Sequence, residues 1–155
     1  MLVLCGFLAG ISLTLMAGKG AQPAGPKAQV VQKGEANAVH VGKGKAHAWQ
    51  LVKGKQAYMG VLSLAAGGAV PEHRDPTEEF LYVLEGTGTI TIDDVNHTIS
   101  PGTAVYMPAG AKVKYKNGDK KLVVVQVFAQ PGPEAKYKKW TPGVYRPKKV
   151  IRGRN

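Results

Sequence analysis

Between residues 58 and 128, short apolar runs alternate with turn signals at nearly even spacing, and this rhythm restricts the fold more than any other feature of the chain. Tyr58–Leu64, Glu79–Leu84, Gly88–Ile92, His97–Ile99, Ala104–Met107, Val113–Tyr115 and Leu122–Phe128 have the length of strands rather than helices. Turn residues separate them at Gly67-Gly68, Glu85-Gly86, Asp93–Asn96, Ser100–Gly102, Pro108–Gly110 and Asn117–Asp119. Twenty glycines and ten prolines suit that many turns, and no stretch keeps a helical period. The expectation is an all-β domain, a sandwich or a barrel.

Alternation assigns faces. Glu79, Leu81 and Val83 share one side of their strand, and Phe80, Tyr82 and Leu84 share the other. His73 and Asp75 share a side, as do Val113 and Tyr115. Leu122–Phe128 is almost continuously apolar, as an interior strand covered on both faces would be. Gln126 interrupts it on the side of Val124 and Phe128, either as a pocket hydrogen-bonder or as a partner for a neighbouring strand's backbone.

The ends differ from this middle. Residues 1–18 carry no charge and are almost wholly apolar, so 1–24 is read as a secretory signal peptide or, alternatively, a membrane anchor. Either reading puts the rest of the chain outside the cytoplasm, periplasmic or secreted. Cys5, the sole cysteine, lies in that segment, which excludes disulfides, thiolate zinc sites and cysteine nucleophiles from the remainder. Residues 25–47, with the stretch GKGKA, read as a flexible linker, and ordered structure is expected from residue 48. The net charge of +11 is concentrated at the C-terminus. Residues 45–130 hold nine basic and eight acidic residues, whereas 131–155 hold eight basic residues against Glu134 alone. The region 131–155 is expected to be a strap, Lys136–Trp140, followed by a basic tail. Such a tail attracts polyanions such as an anionic envelope surface, or is simply a solvated terminus; nucleic acid is the least fitting partner for an exported chain.

Two spaced sets of residues stand out: Gly67, His73, Asp75, Glu79, Gly86, and then Gly102, Pro108, Gly110, Val113, Asn117. In spacing, and in the wording FLYVLEGTGTITID and PGTAVYMPAG, they closely resemble the two signature segments of the cupin superfamily over about residues 58–130. The resemblance implies a double-stranded β-helix, or jelly-roll, barrel over residues 48–130, and a tendency to form homodimers. It also implies a divalent metal held by three histidines and a glutamate. Carried over by position, His73 and Glu79 remain as ligands, Asp75 stands in place of the second histidine, and Val113 in place of the third. Aspartate can bind a divalent ion through oxygen, and valine cannot bind one. The metal pattern is therefore degenerate.

A face with Leu81, Val83, Met107, Val113 and Tyr115, and with Gln126 as a polar point, describes a mostly apolar pocket for a small ligand. The leading expectation is an exported cupin-domain protein that binds a small molecule, with or without a metal, and without chemistry. The first alternative is a divalent-metal enzyme, an oxidoreductase or isomerase using Mn, Fe or Zn on His73, Asp75 and Glu79. The second is an envelope-associated structural protein attached by its basic tail. In the metal-free case His73 and Glu79 are expected to pair within the barrel, with Arg74 or Lys112 nearby. No catalytic residue is assigned, although Glu79 would serve as a general base if burial raised its pKa.

Overall fold

A computed structural model describes residues 27–143. The signal or anchor segment and the end of the basic tail lie outside the described residues. Among the described residues eleven strands run β1 Asn37–Val41, β2 Ala46–Lys53, β3 Ala57–Leu64, β4 Ala69–His73, β5 Glu78–Glu85, β6 Gly88–Ile92, β7 Val95–Ile99, β8 Ala104–Met107, β9 Val113–Asn117, β10 Leu122–Ala129 and β11 Thr141–Gly143. They form a seven-stranded sheet in the order β11-β1-β2-β3-β10-β5-β8 and a four-stranded sheet in the order β4-β9-β6-β7. Every pairing is antiparallel. The fold is all-β, as the alternating runs and turns foretell, and its two antiparallel sheets form the jelly-roll barrel that the signature resemblance implies.

The core fills the space between the sheets. Val83, Met107, Leu122 and Val124 of the larger sheet meet Ile90, Ile99, Val113 and Tyr115 of the smaller one. The face assignment from alternation holds: Glu79 and Val83 are buried, while Phe80, Tyr82 and Leu84 are exposed. Those three and Tyr106 of β8 leave an apolar row on the outer face of the larger sheet, with Phe80 and Tyr106 in ring contact. Strand β10 is interior to its sheet, as its apolar run indicates; its inner row is buried, while Val125 and Val127 on the outer row are only half-buried.

The reading of 25–47 as a flexible linker requires correction. Strand β1 lies within it, hydrogen-bonded to β2 on one side and β11 on the other, with Ala38 and Val39 buried. Strand β2 begins at Ala46, before the expected start of the domain. The glycine- and lysine-rich stretch is the hairpin turn between them, where Gly42, Lys43 and Gly44 all take positive φ. Tight turns and flexible linkers draw on the same residues, so composition does not separate them. Strand β4 escapes sequence reading because Pro71 interrupts it; a proline is tolerated there because β4 is an edge strand with a register irregularity between Val70 and His73.

Asn117, the last residue of the second signature segment, ties three chain segments together from a buried position. Its Nδ2 donates to the carbonyls of Leu64, Ala65 and Lys120, and its Oδ1 accepts from the Tyr115 hydroxyl and the Gly118 amide. Gly88 sits opposite it in the β6–β9 register, where a Cβ would collide with the Tyr115 hydroxyl and the Lys116 carbonyl. Asn117→Ala should destabilise the fold by about 2–4 kcal/mol, since buried carbonyls lose their donors. Urea unfolding measures this, and Asn117→Asp should recover little of the loss because a carboxylate cannot donate to carbonyls.

Candidate functional site

A cavity of about 410 Å³ opens between the sheets. Leu81, Met107, Val113, Tyr115 and Gln126 line it, five of the six residues expected to do so. Val83 does not; it packs into the core cluster, two residues beyond Leu81 on the same inner row of β5. Leu62, Leu64, Ile90, Ile99, Leu122 and Val124 complete an apolar wall. The sequence reading missed them because the separation of two sheets, unlike alternation, is not written locally.

The polar end of the cavity is built from β4, β5, β10 and a short 3₁₀ helix at Pro133–Lys139. Glu79 on β5 and Gln126 on β10 are buried and face inward by alternation. The Gln126 Nε2 donates to Glu79 Oε1 at 2.5 Å, and the Tyr137 hydroxyl donates to Gln126 Oε1 at 2.7 Å. When ionised, Glu79 can only accept, which turns the Gln126 amide nitrogen toward it and leaves the amide oxygen to accept from the tyrosine hydroxyl. Gln126 thus bonds side chains in the pocket rather than strand backbone. Burial pushes the Glu79 carboxyl above its usual value, against the opposing pull of Gln126 and Lys136. Burial, with the charge of Glu79 close by, likewise raises Tyr137, and burial pushes Tyr115 up to about 12.

His73 and Asp75 lie at the mouth. The His73 Nδ1 lies 2.9 Å from the Pro71 carbonyl, which can only accept, so that nitrogen carries a proton and Nε2 faces Asp75 at 3.7 Å. Asp75 bonds instead to Lys136, whose ammonium donates to both carboxylate oxygens at 3.0 and 3.3 Å. The expected neighbours of His73 and Glu79 are engaged elsewhere: Arg74 donates to the Gly110 carbonyl, and Lys112 pairs with Asp94. Among the remaining histidines, His40 and His47 face each other across β1 and β2, and His97 is exposed on β7.

Lys136, Tyr137 and Trp140 all line the cavity, and they come from the expected strap. It crosses its own barrel. Tyr137 is almost fully buried against Val39 and Ala48, meets Trp140 edge to face, and is followed by β11, which pairs with β1. Placing a lysine from this strap on Asp75 requires the tertiary fold; sequence shows only an aromatic and basic cluster.

The donor atoms of His73, Asp75 and Glu79 lie within 4.8 Å of one another. His73 is prepared as a ligand, because its backbone hydrogen bond leaves Nε2 for a metal. The set as a whole does not fit a closed site. Asp75 is already paired with Lys136, and Val113, which cannot ligate, sits directly opposite His73 in the β4–β9 register, at the position where the signature resemblance expects a histidine.

The Cupin domain family profile matches residues 60–128. The dimethylsulfoniopropionate lyase DddW of Ruegeria pomeroyi is 35% identical over 77 residues, 50% of this chain and 51% of the lyase. The chain therefore spans about half the length of that relative. Among solved structures, KdgF from Halomonas sp. superposes with a TM-score of 0.65 at 13% identity, covering 70% of this chain and 99% of KdgF. The polyketide cyclase RemF from Streptomyces resistomycificus superposes with a TM-score of 0.59 at 18% identity, covering 68% and 83%. At these identities the two structures speak for the fold alone.

The raised pKa of Glu79 has a consequence for stability. Between its unfolded value near 4.5 and its higher folded value, the native state holds a proton that the unfolded state has lost. Stability contributed by this residue is therefore greatest at the low-pH side and falls as pH rises through that window. Glu79→Gln should remove this slope, so the variant gains on the wild type as pH rises and the gain then levels off. Urea unfolding of both proteins at successive pH values checks it; a difference that is constant with pH would show that Glu79 ionises alike in both states.

Proposed function

We propose that the barrel over residues 60–128, which match the cupin domain profile, is the binding pocket for a small, mostly apolar organic molecule with one hydrogen-bonding end. One observation carries this reading: a cavity of about 410 Å³ whose walls are aliphatic and whose polar groups gather at one end. That volume lies within the range of about 300–1,000 Å³ typical of small-molecule sites. The aliphatic walls would take the body of the ligand, while His73 Nε2 and the buried Glu79–Gln126–Tyr137 chain would orient its polar end. The proposal includes export, which rests on the uncharged apolar residues 1–18 alone.

A second reading, a divalent-metal enzyme on His73, Asp75 and Glu79, is favoured by the closeness of their donor atoms. The Lys136 ammonium on Asp75 and the valine opposite His73 weigh against it.

The neutral fluorophore N-phenyl-1-naphthylamine should bind saturably, one per chain, with enhanced emission. Leu81→Trp, which fills the cavity from β5, should weaken this binding roughly tenfold or more while the fold persists, because a small-molecule site depends on enclosed volume. Unchanged affinity in a folded Leu81→Trp protein would refute the pocket reading.

A further inference from the structure

Lys136 differs from an ordinary surface lysine in how its backbone is held. The 3₁₀ helix that carries it is fastened on both sides. Tyr137 is buried among Val39, Ala48 and Leu62, and Glu134 accepts from Lys53 at 2.7 Å and from the Gly132 amide at 2.5 Å. The ammonium itself is held over the Phe128 ring at 5.2 Å and near the Tyr137 ring at 5.9 Å. Aromatic faces attract cations at such distances. From there it reaches both oxygens of Asp75, and its charge offsets part of the rise that burial gives the Glu79 pKa.

Two carboxylates held close together ionise more readily beside a positive charge. We propose that Lys136 is that charge: a cation built into the protein, standing where a divalent ion would otherwise balance Asp75 and Glu79. The loss of a ligand at Val113 and the gain of an ammonium from the C-terminal strap then belong to one arrangement. Val113 removes a donor from one side of the site, and Lys136 supplies a full positive charge from the other. The barrel's polar end becomes a metal-independent ion-pair site, and the strap is fastened to the barrel partly through that site. An approaching divalent ion meets a fixed ammonium bonded to one of its three ligands, so it must displace Lys136 to bind.

This concerns the ligand-free protein. It fails on a metal titration, whereas the pocket reading fails on the fluorophore, so the two are tested apart. Wild type, Lys136→Met and Lys136→Arg are titrated with Mn²⁺ and with Zn²⁺ by calorimetry, with circular dichroism as the folding check. Lys136→Met should bind both ions at least about tenfold more tightly than wild type, since a neighbouring like charge is removed. Lys136→Arg should remain as weak as wild type, and adding Asp75→Asn to Lys136→Met should abolish the gain. A folded Lys136→Met protein with wild-type affinity for both ions overturns the proposal. So does wild-type protein that keeps one equivalent of metal through EDTA dialysis. Should Lys136→Met not fold, wild type alone decides. Its His73 ring resonances should stay sharp at millimolar Mn²⁺, and broadening at micromolar Mn²⁺ overturns the proposal.

Discussion

Strand β10 is hydrogen-bonded along both edges, to β3 and to β5, and this double pairing fixes almost everything else about the site. A strand held on both sides cannot slip by one residue without turning its inner row outward. That row is Leu122, Val124, Gln126 and Phe128, and all four are buried. Gln126 therefore enters the cavity beside Leu81 of β5, its partner in register, and within reach of Glu79. A polar side chain so placed must find hydrogen bonds, and it finds one on each side, Glu79 and Tyr137. The aliphatic neighbours supply the burial that raises the Glu79 pKa.

The C-terminal segment completes what the barrel leaves unfinished. The barrel contributes two carboxylates and a histidine at one end of an apolar cavity, an arrangement short of both a third histidine and a positive charge. The 3₁₀ helix brings Lys136 to Asp75, Tyr137 to Gln126 and Trp140 to the cavity wall within five residues. Strand β11 then adds itself to β1 and so fastens the segment to the edge of the larger sheet. Edge pairing, a buried tyrosine and an ion pair cooperate, so the site and the closure of the barrel share the same residues.

Strands and turns were legible because each depends on a few neighbouring residues. All seven expected strands form, with boundaries shifted by no more than two residues, and Ala104–Met107 and Gly88–Ile92 match outright. Strands β1 and β2 were hidden by a hairpin whose glycines and lysine look like a linker, and β4 by Pro71. The polar end of the site was legible in part. His73, Asp75 and Glu79 are brought together, as their spacing suggests. Arg74 and Lys112, near in sequence to the signature residues, turn away to Gly110 and Asp94, and the cation that arrives is Lys136, 61 residues beyond Asp75.

By itself the sequence determined the all-β class, the faces of β5, β9 and β10, and which donors of a metal site are present or missing. The class and the faces follow from turn spacing and period-two alternation, both local properties, and the donor set follows from the resemblance to the cupin signature segments. Only the tertiary structure decided that a cavity persists between the sheets, that Val83 falls outside it, and that a lysine from the strap occupies the carboxylate cluster. The reason is that sheet separation and the docking of a terminal segment are settled by packing between residues far apart in the chain. No local pattern records those contacts.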